Sequence, residues 1–379
     1  VGGYCKPMSS TKTTVALLFG GRSAEHGISC LTAGCVMAAL DKDRYDIVPI
    51  GITDQGRFVL VSEDPAAWSM RDGQTPSVPS DGDEVLLPTS TRREGERISL
   101  RVIRDGAVQP LTDIDVVFPL VHGPYGEDGT IQGLLELFDV PYVGSGVLGS
   151  AACMDKHTTK VMLAHAGIQV ADGFLVRDQE WKHDSHGIAA RCRDLGLPLF
   201  VKPCRAGSSF GVSKVTDLSQ LDAAMETAFA QDPRVLVEKG VSGREVECAV
   251  LEGEFGQMPR TSLPGEIVTG DDLEFYNYES KYFGVGEVNI LVPADLSDDQ
   301  VAAVRSVAAT AFAVLGLEGL ARVDVFVTDR GVVVNEVNTI PGFTPSSMFP
   351  VLWEAMGLPY RQLLTELIER ARTRRTGLR

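Results

Sequence analysis

Long apolar runs are missing from this 379-residue chain; none approaches the roughly 18 residues of a membrane span. The opening residues, Val-Gly-Gly-Tyr-Cys-Lys-Pro, lack the apolar stretch of a signal peptide. Met8 reads as the natural start and residues 1–7 as a vector-derived remnant. Positive charge is also short. The 35 Lys and Arg face 51 Asp and Glu, a net charge of −16, so no global field attracts nucleic acid, whose binding is mostly charge neutralisation. An anionic ligand must therefore be held by local lysines and backbone N–H groups. Seven cysteines, at 5, 30, 35, 153, 192, 204 and 248, form no CxxC pair and no regular framework. Scattered thiols without a signal peptide read as reduced cysteines of a cytoplasmic protein, and zinc is not expected.

What is present points to a globular enzyme. With 44% hydrophobic and 23% charged residues, 39 glycines and 20 prolines, the chain is neither disordered nor collagen-like. Its length, against about 150 residues for an average domain, implies two or three domains. Thr14–Gly20 reads as a buried strand, 24–40 as a helix and 46–52 as the next strand, a β-α-β opening. Residues 72–110 read as an edge insertion with short β-like pieces such as 98–103, followed by a strand over 116–121 and a helix over 129–138. Further strands are expected at 198–203, 212–215, 235–239 and 245–251, with a helix over 218–230. The polar segment 265–289 reads as a long functional loop. Ser297 and Gln300 form a capping box before a helix that Gly316 ends. Strands over 319–327 and 332–338 follow, and a helical tail covers 351–372.

Alternation in ARVDVFVTDRGVVVNEVN puts Arg322 and Asp324 on one strand face, and Glu336 and Asn338 on one face of the next. A three-residue loop, Asp329-Arg330-Gly331, sets Asp324 opposite Glu336 and Arg322 opposite Asn338. Two carboxylates, an amide oxygen and a guanidinium then converge. Oxygen-only ligands suit a hard cation, Mg²⁺ before zinc, and a solvated polar face fits the same pattern. In VKPCRAGSSFGVSKV, Lys202 ends a strand and small residues follow, so backbone N–H groups can approach phosphate oxygens. No GK[ST] closes that segment, so it is not a Walker loop, and a plain hairpin tip also fits. Gly144-Ser-Gly-Val-Leu-Gly149 matches GxGxxG without the βαβ context of a dinucleotide site, and reads as a helix-start turn. Glu25, His122, Glu127, Lys156 and the tyrosines of FYNYESKYF are weaker signals taken singly.

Taken in order, GGRSAEHGIS, HGPYGEDGTIQG, VKPCRAGSSFGVSKV, FYNYESKYF and RVDV…NEVNTIPGFT resemble the D-alanine–D-alanine ligases of the ATP-grasp superfamily, from about residue 15 to 367. The resemblance implies an α/β fold: an N-terminal Rossmann-like domain (8–146), then two α+β domains (147–241 and 242–379, with the loop 265–289) that clasp ATP. It implies ATP-dependent joining of two D-alanines through D-alanyl phosphate for peptidoglycan. Two Mg²⁺ ions, replaceable by Mn²⁺, would be held by Asp324, Glu336 and Asn338. ATP would meet Lys156, Lys202, Ser209, Phe275, Lys281, Glu238 near the adenine and Glu245 near the ribose. Glu25 would bind the first ammonium group, with His122 beside the substrates. Arg322 and the Gly342 N–H would stabilise the oxyanion, and Ser347 and Met348 would hold the second carboxylate. Glu25, Ser208 and Tyr282 match a loop-closing trio, and Tyr282 is the dipeptide-forming version where depsipeptide-forming relatives carry a histidine. His26, Cys204 and Ala206 depart from the more usual Arg, Ser and Glu. A cytoplasmic homodimer acting on small molecules, with no nucleic acid or membrane partner, is what the resemblance implies. Among competing readings, an oxidoreductase leaves the Asp324 face without a role, and a nucleotide binder without turnover leaves Arg322 without one.

Overall fold

The computed structural model describes residues 12–88, 90–91, 97–254, 256–269 and 288–374. Its contacts separate into two compact units. One comprises the chain up to Val121 with Leu134–Val143 and the residues from Arg361 on; the other comprises His122–Gly133 and Gly144–Tyr360.

The first unit is built on β1 (Thr13–Gly20), β2 (Tyr45–Ile52), β3 (Phe58–Leu60), β4 (Glu84–Leu86), β5 (Ile98–Arg104), β6 (Ala107–Ile114) and β7 (Val116–Pro119), one sheet in the order β6-β5-β4-β3-β2-β1-β7. Every residue of β1 is buried, as a central strand covered on both faces requires. It pairs in parallel with β2 and β7, and α1 (His26–Ala39) makes the crossover. The segment expected as an edge insertion supplies β4 to β6, an antiparallel meander that extends the sheet. Its outermost strand, β6, is largely exposed and carries Pro110, a residue that blunts an exposed sheet edge. The unit also holds part of α2 (Thr130–Leu137).

In the second unit, α3 (Val147–Met154) starts at Gly146, so the GxGxxG match is a helix-start turn as expected. After α4 (Lys156–His165) come β8 (Gly173–Arg177) and α5 (Asp178–Leu195), which the sequence reading did not anticipate. With β9 (Leu199–Pro203), β10 (Ser213–Val215), α6 (Leu221–Phe229) and β11 (Arg234–Lys239), they form a four-stranded sheet of order β10-β9-β11-β8 under two helices. A further sheet joins β12 (Arg244–Leu251), β13 (Arg260–Thr261), β14 (Gly265–Thr269), β15 (Val288–Leu291), β16 (Leu320–Thr328) and β17 (Gly331–Asn338), backed by α7 (Asp298–Val314). The capping box of Ser297 and Gln300 is present, and Gly316 takes a φ of +62° just beyond the helix.

Two expectations need correction. The segment 265–289 is not loop throughout: its ends are β14 and β15, paired antiparallel, and the β-branched residues of Gly265–Thr269 suit a strand. The tail is two helices, α8 (Met348–Ala355) and α9 (Tyr360–Thr373), because Gly357 at φ +82° breaks it. Leu363, Leu364, Leu367 and Ile368 form the buried stripe of α9, each contributing about 1.5–3 kcal/mol. From Arg361 on, this helix belongs to the first unit, where the Tyr45 hydroxyl donates to Glu369 at 2.9 Å.

Candidate active site

Strand parity decides which side chains meet. On β16, Ala321, Val323, Val325 and Val327 enter the core beneath α7, and on β12 so do Val246, Cys248 and Val250. Arg322, Asp324, Glu245 and Glu247 therefore share the opposite face. On β17, Val332, Val334 and Val337 are core residues. The expected pairs Asp324–Glu336 and Arg322–Asn338 are both present. They arise differently from the three-residue loop expected. Pairing continues through Thr328–Gly331, leaving a two-residue turn of Asp329-Arg330, and a bulge facing the Asp324–Val325 step leaves Asn335 as the extra residue. Gly331, at φ +124°, lies inside the strand, and the Thr328 hydroxyl ties the turn by donating to the Gly331 carbonyl. Bulges beside sites re-aim side chains. Here the Asn335 amide oxygen accepts from Lys202 Nζ at 3.4 Å.

Around Arg322 negative charge is in excess. Its Nε and one terminal nitrogen donate to the two oxygens of Asp324, each at 2.7 Å, and Nε lies 2.9 Å from Glu247. Asn338 donates to the same Asp324 oxygen as the terminal nitrogen, at 2.9 Å. Burial opposes the Arg322 charge, but Asp324 and Glu247 outweigh it and hold the guanidinium protonated. Glu245 is pushed up from its ordinary value, by burial first and then by the Asp324 charge, with Lys202 opposing.

Around Glu238 positive charge is in excess. This carboxylate, on β11, pairs with Lys202 of β9 and lies 3.0 Å from Lys160 of α4. Burial would raise its pKa, yet the two lysines hold it down at about 2. Lys156, one helical turn before Lys160, donates to the Ala206 carbonyl at 2.8 Å and lies 3.4 Å from Glu336. The contacts Lys156–Glu336 and Lys202–Asn335 bring the two clusters face to face.

The small-residue segment after Lys202 is held at its root. Arg205 grips the buried Asp232 through two of its side-chain nitrogens and its own N–H, and the Cys204 N–H donates to the Arg234 carbonyl. Burial, with Asp155 and Asp232, pushes the Cys204 thiol up to about 12, so it is an inert packing group. At Ala206 it is the carbonyl that Lys156 uses, so a larger side chain is not needed for that contact. Beyond it, Ser208 and Ser209 take φ of +49° and +58°, strain of about 1–3 kcal/mol each, of a kind concentrated at ligand clamps.

A second loop, 339–347, is anchored by Phe343, whose ring packs on Phe349 and Tyr360 and whose carbonyl accepts from the Tyr360 hydroxyl at 2.7 Å. Ser347 sits at the N-cap position of α8 without capping it; its oxygen accepts from Thr344 N–H at 3.1 Å. Gly342 lies against that hydroxyl, and a Cβ there would come within 3.2 Å of it. Met348 is buried against Gly265 of β14. His122 Nδ1 lies 3.2 Å from the Ile340 carbonyl and 3.5 Å from Glu127, so it braces the same loop.

Glu25 belongs to the first unit. It is buried at the N-terminus of α1 and its carboxylate makes no capping bond. Beside it, His26 accepts from Val78 N–H at Nε2 (3.0 Å), which leaves Nδ1 to donate to the Gly21 carbonyl at 2.7 Å. The departure at His26 is therefore structural, tying the glycine turn to the strap at residue 78. Phe275, Tyr276, Tyr278, Lys281 and Tyr282, and with Tyr282 the Glu25–Ser208–Tyr282 trio as a whole, lie outside the described residues.

Sequence reasoning missed three residues. Glu247 was legible by parity, two positions after Glu245, and Lys160 by helical spacing, four after Lys156. Asn335 was not legible, because its facing depends on the bulge.

The donor set can be weighed for a metal. Among the described residues no three or more His, Cys, Asp or Glu side chains gather as a metal cage. Two carboxylates and one amide, all oxygen donors, remain on one face. That suits Mg²⁺, which binds one or two carboxylates and leaves its other positions to phosphate oxygens and water.

A family model described as the D-Ala–D-Ala ligase N-terminus matches residues 14–145, and one described as the D-Ala–D-Ala ligase C-terminus matches 162–369. The chain is 51% identical to the D-alanine–D-alanine ligase of Kineococcus radiotolerans over 98% of this chain and 100% of that one. Among solved structures, the D-alanine–D-alanine ligase from Coxiella burnetii matches with a TM-score of 0.78 at 35% identity, covering 96% of this chain and 94% of that one. The VanG D-Ala:D-Ser ligase from Enterococcus faecalis matches with a TM-score of 0.79 at 34% identity, covering 95% and 99%.

Proposed function

The chain belongs to the D-alanine–D-alanine ligase family, and from that premise we propose how its own residues divide the work. It has the ATP-grasp fold and joins two D-alanines, using ATP, to the dipeptide required for peptidoglycan. Within that reaction, a carboxylate oxygen of the first D-alanine attacks the γ-phosphoryl group. D-alanyl phosphate forms and ADP leaves. The amine of the second D-alanine then attacks the acyl carbon, a proton is lost from nitrogen, and phosphate departs as the peptide bond forms.

Phosphoryl transfer is mainly a matter of positioning and charge stabilisation. Lys202 and Lys156 face the phosphates, with Ser208 and Ser209 covering them. Glu238 lies toward the adenine end and Glu245 toward the ribose, whose hydroxyls would donate to its carboxyl. Phe275 and Lys281 complete the nucleotide contacts. Asp324, Glu336 and Asn338 would hold two Mg²⁺ ions, with Mn²⁺ as a substitute, and when bound these neutralise charge on the phosphates. Glu25 takes the first ammonium group, and His122 would add a substrate contact. Arg322 and the Gly342 N–H steady the oxyanion; Ser347 and the Met348 N–H hold the second carboxylate. Closure of Ser208 and Tyr282 toward Glu25 excludes water, which would otherwise hydrolyse the acyl phosphate. Division of the second unit between residues 239 and 244, where one sheet ends and the next begins, supports the boundary between 241 and 242, while the residues from Arg361 on group with the first unit and not with 242–360.

The observation that carries this division of roles is the meeting of the lysine cluster with the acidic face through Lys156–Glu336 and Lys202–Asn335. The experiment is ATP-driven phosphate release with D-alanine alone, or with D-alanine plus D-serine or D-lactate, with the product identified. D-alanyl-D-alanine as the sole product supports Tyr282 as the selecting residue. A mixed dipeptide or depsipeptide at neutral pH overturns that selection. Among the described residues no helix is long and apolar enough to cross a membrane; a homodimer in the cytoplasm is the family-based expectation, and sedimentation tests the dimer.

A further inference from the structure

We propose that Lys160 is a positioning residue for the nucleotide's phosphates: it cancels the charge of Glu238 so that Lys202 can offer a full positive charge to them. The inference rests on the reading that Lys202 meets those phosphates. Lys156 and Lys160 lie one turn apart on α4, but their ammonium groups go to different places. Lys156 reaches Ala206 and Glu336, whereas Lys160, only 6% exposed, turns inward to Glu238. Among the described residues Lys160 Nζ meets no hydrogen-bonding group besides that carboxylate.

Charge arithmetic gives the reason. Glu238 fixes the Lys202 ammonium group, which otherwise sits on a flexible four-carbon stem, and so preorganises it. A carboxylate that close would also cancel the Lys202 charge. The second lysine restores a surplus of one positive charge. A purely structural ion pair needs one cation, and burying a second costs several kcal/mol of desolvation unless an anion arrives to offset it. Besides Glu238, Lys202 meets the Asn335 amide oxygen and the Phe200 ring, both neutral; Glu245, which feels its charge, has its own carboxyl pushed up by burial.

The test compares ATP (with Mg²⁺) and adenosine binding by calorimetry, on the full chain, for Lys160→Met, Lys160→Met/Glu238→Gln and Lys202→Met. The ratio of the two affinities isolates the phosphate part. Lys160→Met should lower that ratio by about 10- to 100-fold, the scale of a hydrogen bond to a charged group. The double variant, which has no carboxylate left to cancel Lys202, should recover most of it. An unchanged ratio in Lys160→Met overturns the proposal. So does a ratio that stays depressed in the double variant, since Lys160 would then touch phosphate itself or serve the fold alone. Should Lys160→Met fail to fold, the double variant, free of a stranded buried carboxylate, decides by the same criterion. Lys202→Met reports separately: if its ratio matches the parent's, the assignment of Lys202 to the phosphates falls.

Discussion

Arg322 and Glu238 are each a buried charge held between two opposite ones, but with inverted signs. Arg322 lies between Asp324 and Glu247, one positive charge against two negative. Glu238 lies between Lys160 and Lys202, one negative against two positive. A balanced buried pair would be ordinary structure. An unbalanced trio carries a net charge that desolvation makes costly, so each surplus indicates the sign of what it is built to meet. The acidic surplus suits a cation, and the basic surplus suits a polyphosphate. A ligand carrying both, a nucleotide with its metal ions, satisfies the two clusters together.

The comparison can be broken from either side. The largest effect is expected for Asp324→Ala, which removes a proposed metal ligand and leaves Arg322 with Glu247 alone. Turnover should fall below detection in a coupled ADP assay, and a near-normal rate at saturating Mg²⁺ would assign Asp324 to the fold only. Glu247→Gln keeps the shape and removes one negative charge. We expect kcat to fall about 10- to 100-fold, the scale of a charge-assisted hydrogen bond, with ATP affinity unchanged by calorimetry. Loss of ATP affinity instead would place Glu247 with the nucleotide cluster.

For Glu238 the pH sign is explicit. Its folded pKa, at about 2, lies below the ordinary 4.5. The stability it contributes, on the order of 3 kcal/mol, is therefore present above about 4.5 and lost as pH falls toward 2. Urea unfolding should show the parent more stable than Glu238→Gln at pH 7, with the gap closing as pH falls through that window. A gap independent of pH would mean that the carboxylate charge is not what the lysines bind. The smallest effect is expected for deletion of Asn335. Because it is the extra residue of the bulge, its removal leaves Asp324 opposite Glu336 and Arg322 opposite Asn338 in a regular hairpin. KM for ATP should rise about threefold through the lost Lys202 contact, with kcat nearly unchanged. Abolished turnover would show that the bulge's twist, and not only its side chain, shapes the site.

Much of this was readable residue by residue. Alternation placed Arg322 with Asp324 and Glu336 with Asn338, and the paired register brings the four together. The joining of the two faces rested on an expected three-residue loop; the structure reaches the same offset by a different path, a shorter turn plus an added bulge. Lys202 at a strand end and Lys156 at a helix start were also legible, because each follows from local pattern. Glu247 and Lys160 were within reach of the same periodicities, but single polar residues in a buried strand or helix carry no local sign of what they meet. Cys204 and Ala206, departures by sequence, lie where the backbone makes the contact.

Sequence by itself determined the parity of the strands, the capping and breaking of the helices and the order of the motifs, and hence the family. These depend on backbone periodicity and near-neighbour sterics, which act over a few residues. The tertiary structure alone decided which charges are compensated: that Lys160 and Lys202 share one carboxylate, that Arg322 is shared by two, and that Asn335 is turned toward Lys202. Such pairings join residues distant in the chain, as Lys160 does with Glu238, or hang on a single extra residue in a strand. Their energies depend on a burial that exists only once the core beneath them has closed.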